Sequence, residues 1–144
     1  MLHWKRLPLA RPQSSSYNGP VARILIVDDV DSIQQLIREV LLDYGHEFDL
    51  AANGAEAVKI LNAKKIDLAI IDCNLPGMSG LEIVRLIRQN PKTKEIKILM
   101  CTGSMVTKEV DEALAAGADD YIGKPLDFTA LVSKVDKALA LIHR

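Results

Sequence analysis

The sequence has few aromatic residues, only 4% of its 144 positions, and only two cysteines. So few rings give no ladder for stacking bases, and we expect no direct nucleic-acid binding. Cys73 and Cys101 are too few for a disulfide framework and lack a metal-ligand spacing, which favours a reduced, cytoplasmic protein. No apolar run approaches the roughly 20 residues that span a bilayer, so no membrane insertion is expected.

The charge is distributed unevenly, although the formal net charge is only -1. Residues 1–20 carry Lys5, Arg6 and Arg11 with no acidic residue, and they show neither a helical nor an alternating pattern. This stretch also contains three prolines and a serine run, so we interpret residues 1–20 as a flexible leader. The remaining residues, 21–144, have the length of one domain of about 100 to 150 residues.

Short apolar runs alternate with longer amphipathic segments after the leader. Five such pairs predict a parallel sheet with helices packed on it, the α/β class. The predicted strands are residues 24–27, 46–51, 67–71, 96–101 and 121–122. The predicted helices begin at Asp31 or Ser32, Asn53, Ser79, about Thr107 and about Asp127.

Local signals set the ends of these helices. Apolar residues at helical spacing follow Asp31 and Ser32, which predicts a cap at one of them, and Gly45 predicts a left-handed end. Glutamates follow Asn53 and Ser79 after three residues, as in a capping box. The apolar residues of the first helix are Ile33, Leu36, Ile37, Val40 and Leu41.

Polar residues follow four of the predicted strands, where a doubly wound parallel sheet binds its ligands. They are Asp28 and Asp29, Asp72, Thr102 and Lys124, after strands one, three, four and five. Taken singly, each signal is more simply explained by a turn, a cap or a loop. Their succession along one sheet edge indicates a site.

Three carboxylates in one pocket repel each other unless a proton or a cation joins them. Mg²⁺ suits such a site because it prefers oxygen ligands and retains several waters. We expect Asp29 and Asp72 as direct ligands, Asn74 through its backbone oxygen, and Asp28 through water.

With such an ion bound, Asp72 could act as a nucleophile towards phosphorus, since carboxylates form acyl phosphates. Lys124 would pair with one phosphoryl oxygen, and the Thr102 hydroxyl and Gly103 amide would donate to another.

Over residues 22–142 the chain resembles the receiver domain of bacterial two-component response regulators. Asp28–Asp29 resembles the acidic pair of that family, and residues 72–80 resemble its phosphoacceptor motif. Thr102 resembles its switch hydroxyl, and Lys124–Pro125 resembles its Lys-Pro pair. This resemblance implies a flavodoxin-like (βα)5 three-layer sandwich with a parallel five-stranded sheet of order 2-1-3-4-5.

The resemblance also implies a function. A sensor histidine kinase or histidine phosphotransfer protein would donate a phosphoryl group to Asp72 with Mg²⁺. The domain would later hydrolyse its own aspartyl phosphate, so it would not be an enzyme acting on other substrates. The downstream target, a protein or an output domain, stays open.

A switch pair is implied as well. Thr102 would move to the phosphate and Tyr121 would turn inward, changing a face of helix four, strand five and helix five that could also form a homodimer. The resemblance implies a cis Lys124–Pro125 bond, a small gating side chain at Cys73 and a lifetime-tuning position at Ser104.

Two other functions compete with the phosphorylated switch. A phosphohydrolase of the haloacid-dehalogenase type would require a second aspartate at the position of Asn74. Its nucleophile would also lie on strand one. A docking module without phosphorylation would be expected to lack part of the acceptor set, which is complete here.

Overall fold

The computed structural model describes residues 21–103 and 107–142. The predicted leader and Ser104 lie outside the described residues. Within them, five strands alternate with five helices. The elements are β1 Arg23–Val27, α1 Asp31–Leu42, β2 Glu47–Ala51, α2 Gly54–Ala63, β3 Leu68–Asp72, α3 Gly80–Gln89, β4 Lys97–Thr102, α4 Thr107–Ala116, β5 Asp120–Gly123 and α5 Phe128–Ile142.

The strands form one parallel sheet in the order β2-β1-β3-β4-β5. One apolar cluster joins the sheet to α1 and α5, and a second joins it to α2, α3 and α4. The predicted three-layer fold and strand order are therefore confirmed. The strand order reverses between β1 and β3, which puts a crevice at their carboxyl ends.

The central strands are buried on both faces, which explains why their sequences read as unbroken apolar runs. Leu25 and Ile71 face the cluster with α2, α3 and α4, whereas Ile24 and Ile70 face the cluster with α1 and α5. All five residues of β3 are buried. Asp72 thus ends a strand that has no solvent-exposed side.

The predicted caps of α2 and α3 both form. The Ser79 hydroxyl accepts from the Glu82 amide at 3.2 Å, and the Glu82 carboxylate accepts from the Ser79 amide at 3.0 Å, a complete capping box. The Asn53 side chain accepts from the Glu56 amide at 2.9 Å, while Glu56 accepts from Ala52 rather than from the cap residue. These caps fix the start of each helix.

The start and end of α1 differ from the prediction. Its cap residue is Val30, which makes no side-chain cap hydrogen bond, and Asp31 is the first helical residue. An acidic residue in the first turn is favoured by the helix dipole without serving as the cap. Gly45 has a φ of 84°, as predicted, but the helix ends at Leu42 and a turn separates the two.

Strands two, three and four begin one residue later than predicted, and strands three and four also end one residue later. Asp67 lies just before β3, where its carboxylate accepts from the Arg23 amide at 2.9 Å, and the registered ladder begins with the pair Ile24 and Leu68. The shift makes Asp72 and Thr102 the last residues of β3 and β4. In the described part of the chain, no helix combines the length and apolar content needed to cross a bilayer.

Candidate functional site

Charged side chains from three strands meet at the carboxyl edge of the sheet. The Lys124 ammonium lies 3.2 Å from an oxygen of Asp28 and 3.2 Å from an oxygen of Asp72. Asp28 and Asp72 are 2% and 4% exposed, so both carboxylates are largely removed from water. β1, β3 and β5 thus deliver one cation and two buried anions to one point.

Asp29 adds a third carboxylate to this cluster, and it is exposed. One carboxylate oxygen from each of Asp28, Asp29 and Asp72 lies within 4.8 Å of the others. These three carboxylates carry more negative charge than the Lys124 ammonium can balance, and a hard divalent cation would neutralise the excess. The donor set therefore fits Mg²⁺.

The backbone after β3 holds Asp72 in place. Its Oδ1 accepts from the Asn74 amide at 3.1 Å, and the Cys73 amide donates to the Cys101 carbonyl at 2.9 Å. The Gly80 amide donates to the Cys73 carbonyl at 3.2 Å. A Cβ on Gly80 would overlap the Asp72 carbonyl oxygen and lie 2.9 Å from Cys73 Cα, so the tight approach of α3 requires glycine here.

Thr102 ends β4 beside the cluster and is 6% exposed. Its carbonyl accepts from the Lys124 amide at 2.8 Å, and the hydrogen bond between its side chain and Cys73 favours the ionised form of that thiol. Cys73 and Thr102 line a cavity of about 180 Å³ together with Glu109 and Glu112 of α4. Cys73 and Asn74 in its lining place this cavity beside the loop that follows Asp72.

The pKa of Lys124 is raised above its ordinary value. Burial alone would lower it, but the hydrogen bond and charge of Asp72, and then the charge of Asp28, outweigh that effect. The ammonium is therefore firmly charged at neutral pH. The Lys124–Pro125 peptide bond is cis, as the resemblance implied.

Comparison with known proteins identifies this arrangement. The family described as "Response regulator receiver domain" matches residues 24–136. The chain belongs to this family. The match spans from β1 well into α5, so it includes every element that contributes to the charged cluster.

Individual relatives of this receiver domain agree with the assignment. It is 32% identical over 122 residues to the chemotaxis protein CheY of Pseudomonas aeruginosa, covering 84% of this chain and 98% of that protein. It is 38% identical over 117 residues to the phosphate regulon transcriptional regulatory protein PhoB of Rhizobium meliloti, covering 81% of this chain. The matched region is 52% of that regulator, about half its length.

A solved structure supports the fold of this receiver domain. The chemotaxis response regulator CheY4 of Vibrio cholerae superimposes with a TM-score of 0.79 at 33% identity. The match covers 83% of this chain and 99% of that one.

The sequence-predicted residues of the receiver divide into three groups by position. Asp28, Asp29, Asp72 and Lys124 come together in the charged cluster. Asn74 and Thr102 border it, the first through its amide. Tyr121 lies apart on β5, where it pairs in register with Met100 rather than Thr102.

Tyr121 is half-buried against the cluster of α2, α3 and α4. The Lys134 ammonium of α5 lies 5.5 Å from the centre of the Tyr121 ring and 3.1 Å from a carboxylate oxygen of Asp120. Cation and ring at this separation attract each other. The side chain of Tyr121 therefore connects β5 to α5.

The two thiols near the site are both hard to ionise. Burial raises the pKa of Cys73, although the hydrogen bond from Thr102 opposes the rise. Burial raises the pKa of Cys101 to about 12. Since the thiolate is the reactive form, neither cysteine is set up as a nucleophile.

Two polar residues that the sequence reasoning missed organise the backbone of the receiver. Gln34 is buried on α1 and donates to the carbonyls of Asp28 and Ala51. Arg88 on α3 donates to the carbonyls of Lys94, Ile96 and Gly117 and pairs with Asp119 at 2.8 Å. Gln34 shares a helix face with Ile37 and Leu41, a signal that could have revealed it; Arg88 offers no such signal.

Proposed function

We propose that this receiver domain accepts a phosphoryl group on Asp72 from a sensor histidine kinase or a histidine phosphotransfer protein. The observation that carries this proposal is the meeting of three carboxylates and Lys124 at one sheet edge, with Asp72 buried at the end of β3. Such a cluster serves no packing purpose, because burying like charges is costly.

Asp29, Asp72 and the Asn74 carbonyl would hold Mg²⁺ directly, with Asp28 acting through water. The ion would supply positive charge to phosphoryl oxygens and to the attacking carboxylate. The carboxylate set and its spacing support these roles.

Asp72 supplies the nucleophile. One carboxylate oxygen forms a bond to phosphorus while the bond between phosphorus and the donor imidazole nitrogen breaks, and the electron pair leaves with that nitrogen. The Asn74 amide, donating to Oδ1 at 3.1 Å, and Lys124, 3.2 Å from Oδ2, orient the carboxylate for this step.

Lys124 and Thr102 then bind the transferred group. The Lys124 ammonium moves from its two carboxylates towards a phosphoryl oxygen. The Thr102 hydroxyl leaves Cys73 and donates to a second phosphoryl oxygen. The Gly103 amide, in the exposed loop after β4, donates to the same group. The contacts of Lys124 with Asp28 and Asp72, and of Thr102 with Cys73, support the first two of these assignments.

The movement of Thr102 changes the surface of α4, β5 and α5. Displacing this hydroxyl opens space next to β5, Tyr121 turns inward, and its contact with Lys134 on α5 is lost. A downstream protein or an output domain reads the altered face, and a second copy of the domain could also bind there. The domain catalyses only its own phosphorylation and dephosphorylation, and we assign it to the cytoplasm.

The competing functions have less support. A haloacid-dehalogenase-type hydrolase would carry its nucleophile on β1, whereas the buried, amide-bound carboxylate here ends β3. A docking module without phosphorylation would not need the complete charged cluster.

Beryllofluoride, a mimic of the phosphoryl group, distinguishes the switch from the docking module. We expect a bound fluorine resonance by nuclear magnetic resonance only when Mg²⁺ is present, with amide shifts in α4, β5 and α5. Asp72→Asn, which keeps the size of the side chain, should remove both signals, and Thr102→Val should keep the resonance but reduce the shifts in β5. No bound resonance in the unmodified protein would contradict the proposal.

A further inference from the structure

Gln34 is a polar side chain on the buried face of α1, and only 6% of it is exposed. Its Nε2 amide donates to the Asp28 carbonyl at 2.7 Å and to the Ala51 carbonyl at 2.9 Å. Both hydrogens of the amide are therefore used. A glutamine at this depth is stable only because these bonds compensate for its lost hydration.

These bonds lie where the ladder between β1 and β2 ends. The last registered pair is Val27 with Ala51, and the Asp28 amide still donates to the Ala51 carbonyl at 3.1 Å. Beyond that point the Gln34 side chain, rather than a backbone amide of β2, donates to the Asp28 carbonyl. The Asp28 residue is thus held through its amide by Ala51 and through its carbonyl by Gln34.

The Asp28 carbonyl belongs to the peptide group that joins Asp28 to Asp29. This planar group contains the Cα of Asp29, so fixing the group also fixes that atom and leaves the Asp29 side chain only rotation about the N–Cα bond and its own bonds. On the other side of Asp29, the Val30 amide donates to Asp28 Oδ1 at 2.8 Å. Asp29 is exposed and has little side-chain packing, so its position depends on the backbone at either end.

We infer that Gln34 is a positioning residue for the acidic pair, holding Asp28 and Asp29 in the geometry that binds the divalent cation. This inference rests on the proposed function for the cation site and adds a residue that does not touch the ion. Outer groups that orient metal ligands typically contribute tenfold or more to metal affinity. Gln34 would act in this way through the backbone rather than through a carboxylate.

The test compares two neighbouring glutamines. Gln34→Met keeps the length and volume of the side chain but removes both donors, while Gln35→Met makes the same change at an exposed position of the same helix. Titration calorimetry with Mg²⁺ alone measures affinity directly, without phosphorylation. We expect the Mg²⁺ dissociation constant to rise about tenfold in Gln34→Met and to stay unchanged in Gln35→Met.

The outcomes separate positioning from simple packing. A lower melting temperature for Gln34→Met with an unchanged Mg²⁺ dissociation constant would show a structural role only and would overturn the inference. If Gln34→Met does not fold, Gln34→Asn keeps the amide on a shorter side chain that reaches less well, and the same rise in the dissociation constant is expected. No Mg²⁺ binding by the unmodified protein would overturn the proposed function and this inference with it, whereas binding that is equal in all variants would overturn this inference alone.

Discussion

Lys124 and Asp72 form an ion pair across the carboxyl edge of the sheet, with 3.2 Å between the ammonium nitrogen and Oδ2. The same ammonium is equally close to Asp28, so one cation is shared by two buried carboxylates. This relationship connects stability to function, because drawing Lys124 towards a phosphoryl oxygen leaves buried negative charge that another cation must then compensate.

Lys124→Met removes the shared cation. We expect it to lower the free energy of unfolding by about 1 to 3 kcal/mol in buffer without Mg²⁺, since two buried carboxylates lose their partner and the lysine is partly exposed. Urea denaturation followed by circular dichroism measures this loss, and added Mg²⁺ should restore part of it. Lys137→Met, at an exposed position of α5, is the control. Equal losses in the two variants would mean that the ion pairs contribute nothing specific.

Gly80→Ala places a methyl group against the backbone of the acceptor strand. Neither the Asp72 carbonyl nor Cys73 Cα can move without shifting the loop, so we expect a loss of about 3 kcal/mol. Gly103→Ala is the control because, among the described residues other than its chain neighbours, no atom lies within 4 Å of its added Cβ. Thermal unfolding of both variants tests the prediction, and a Gly80→Ala protein as stable as the control would disprove the close approach.

Arg88→Lys keeps the charge but loses the planar fork that contacts three carbonyls and Asp119. We expect a loss of about 2 to 4 kcal/mol, because an ammonium cannot reach all of these acceptors. Arg85→Lys, three residues earlier on the exposed side of the same helix, should change stability by less than about 0.5 kcal/mol. Similar denaturation midpoints for the two variants would contradict the assigned role.

The two thiols should react slowly in the folded protein. Burial raises both pKa values, that of Cys101 to about 12, so little thiolate is present in mildly alkaline buffer. Mass spectrometry after brief treatment with iodoacetamide should find Cys73 modified more than Cys101, and both far less than in urea. Alkylation of Cys73 that is faster in the folded than in the unfolded chain would instead show an activated thiolate and contradict this prediction.

The charged residues of the site could be predicted because the sheet brings them together. Parallel strands have their carboxyl ends at one edge, so Asp28, Asp72 and Lys124 were expected at that edge once the strands were recognised, and the strand order that brings them close came from the family resemblance. The distances between the site side chains depend on contacts that the sequence pattern does not contain, such as the hydrogen bond from the Arg23 amide to the Asp67 carboxylate just before β3.

The residues that position the site were harder to predict. Leu36 fits the apolar stripe of α1, yet it is 44% exposed, while Gln34 occupies the buried face. Hydrophobicity favoured leucine, but the ends of β1 and β2 supply carbonyl groups that need a donor. The sequence pattern does not distinguish Arg88 from Arg85. Only the tertiary fold places three backbone carbonyls around the Arg88 guanidinium.

The central claim is that Asp72 accepts a phosphoryl group with the help of Mg²⁺. Intact-mass spectrometry after incubation with acetyl phosphate and Mg²⁺ tests it most directly. We predict a gain of about 80 Da in the unmodified protein and no gain in Asp72→Asn or in the presence of a chelator. Undiminished labelling of Asp72→Asn, or no labelling of the unmodified protein, would contradict the claim.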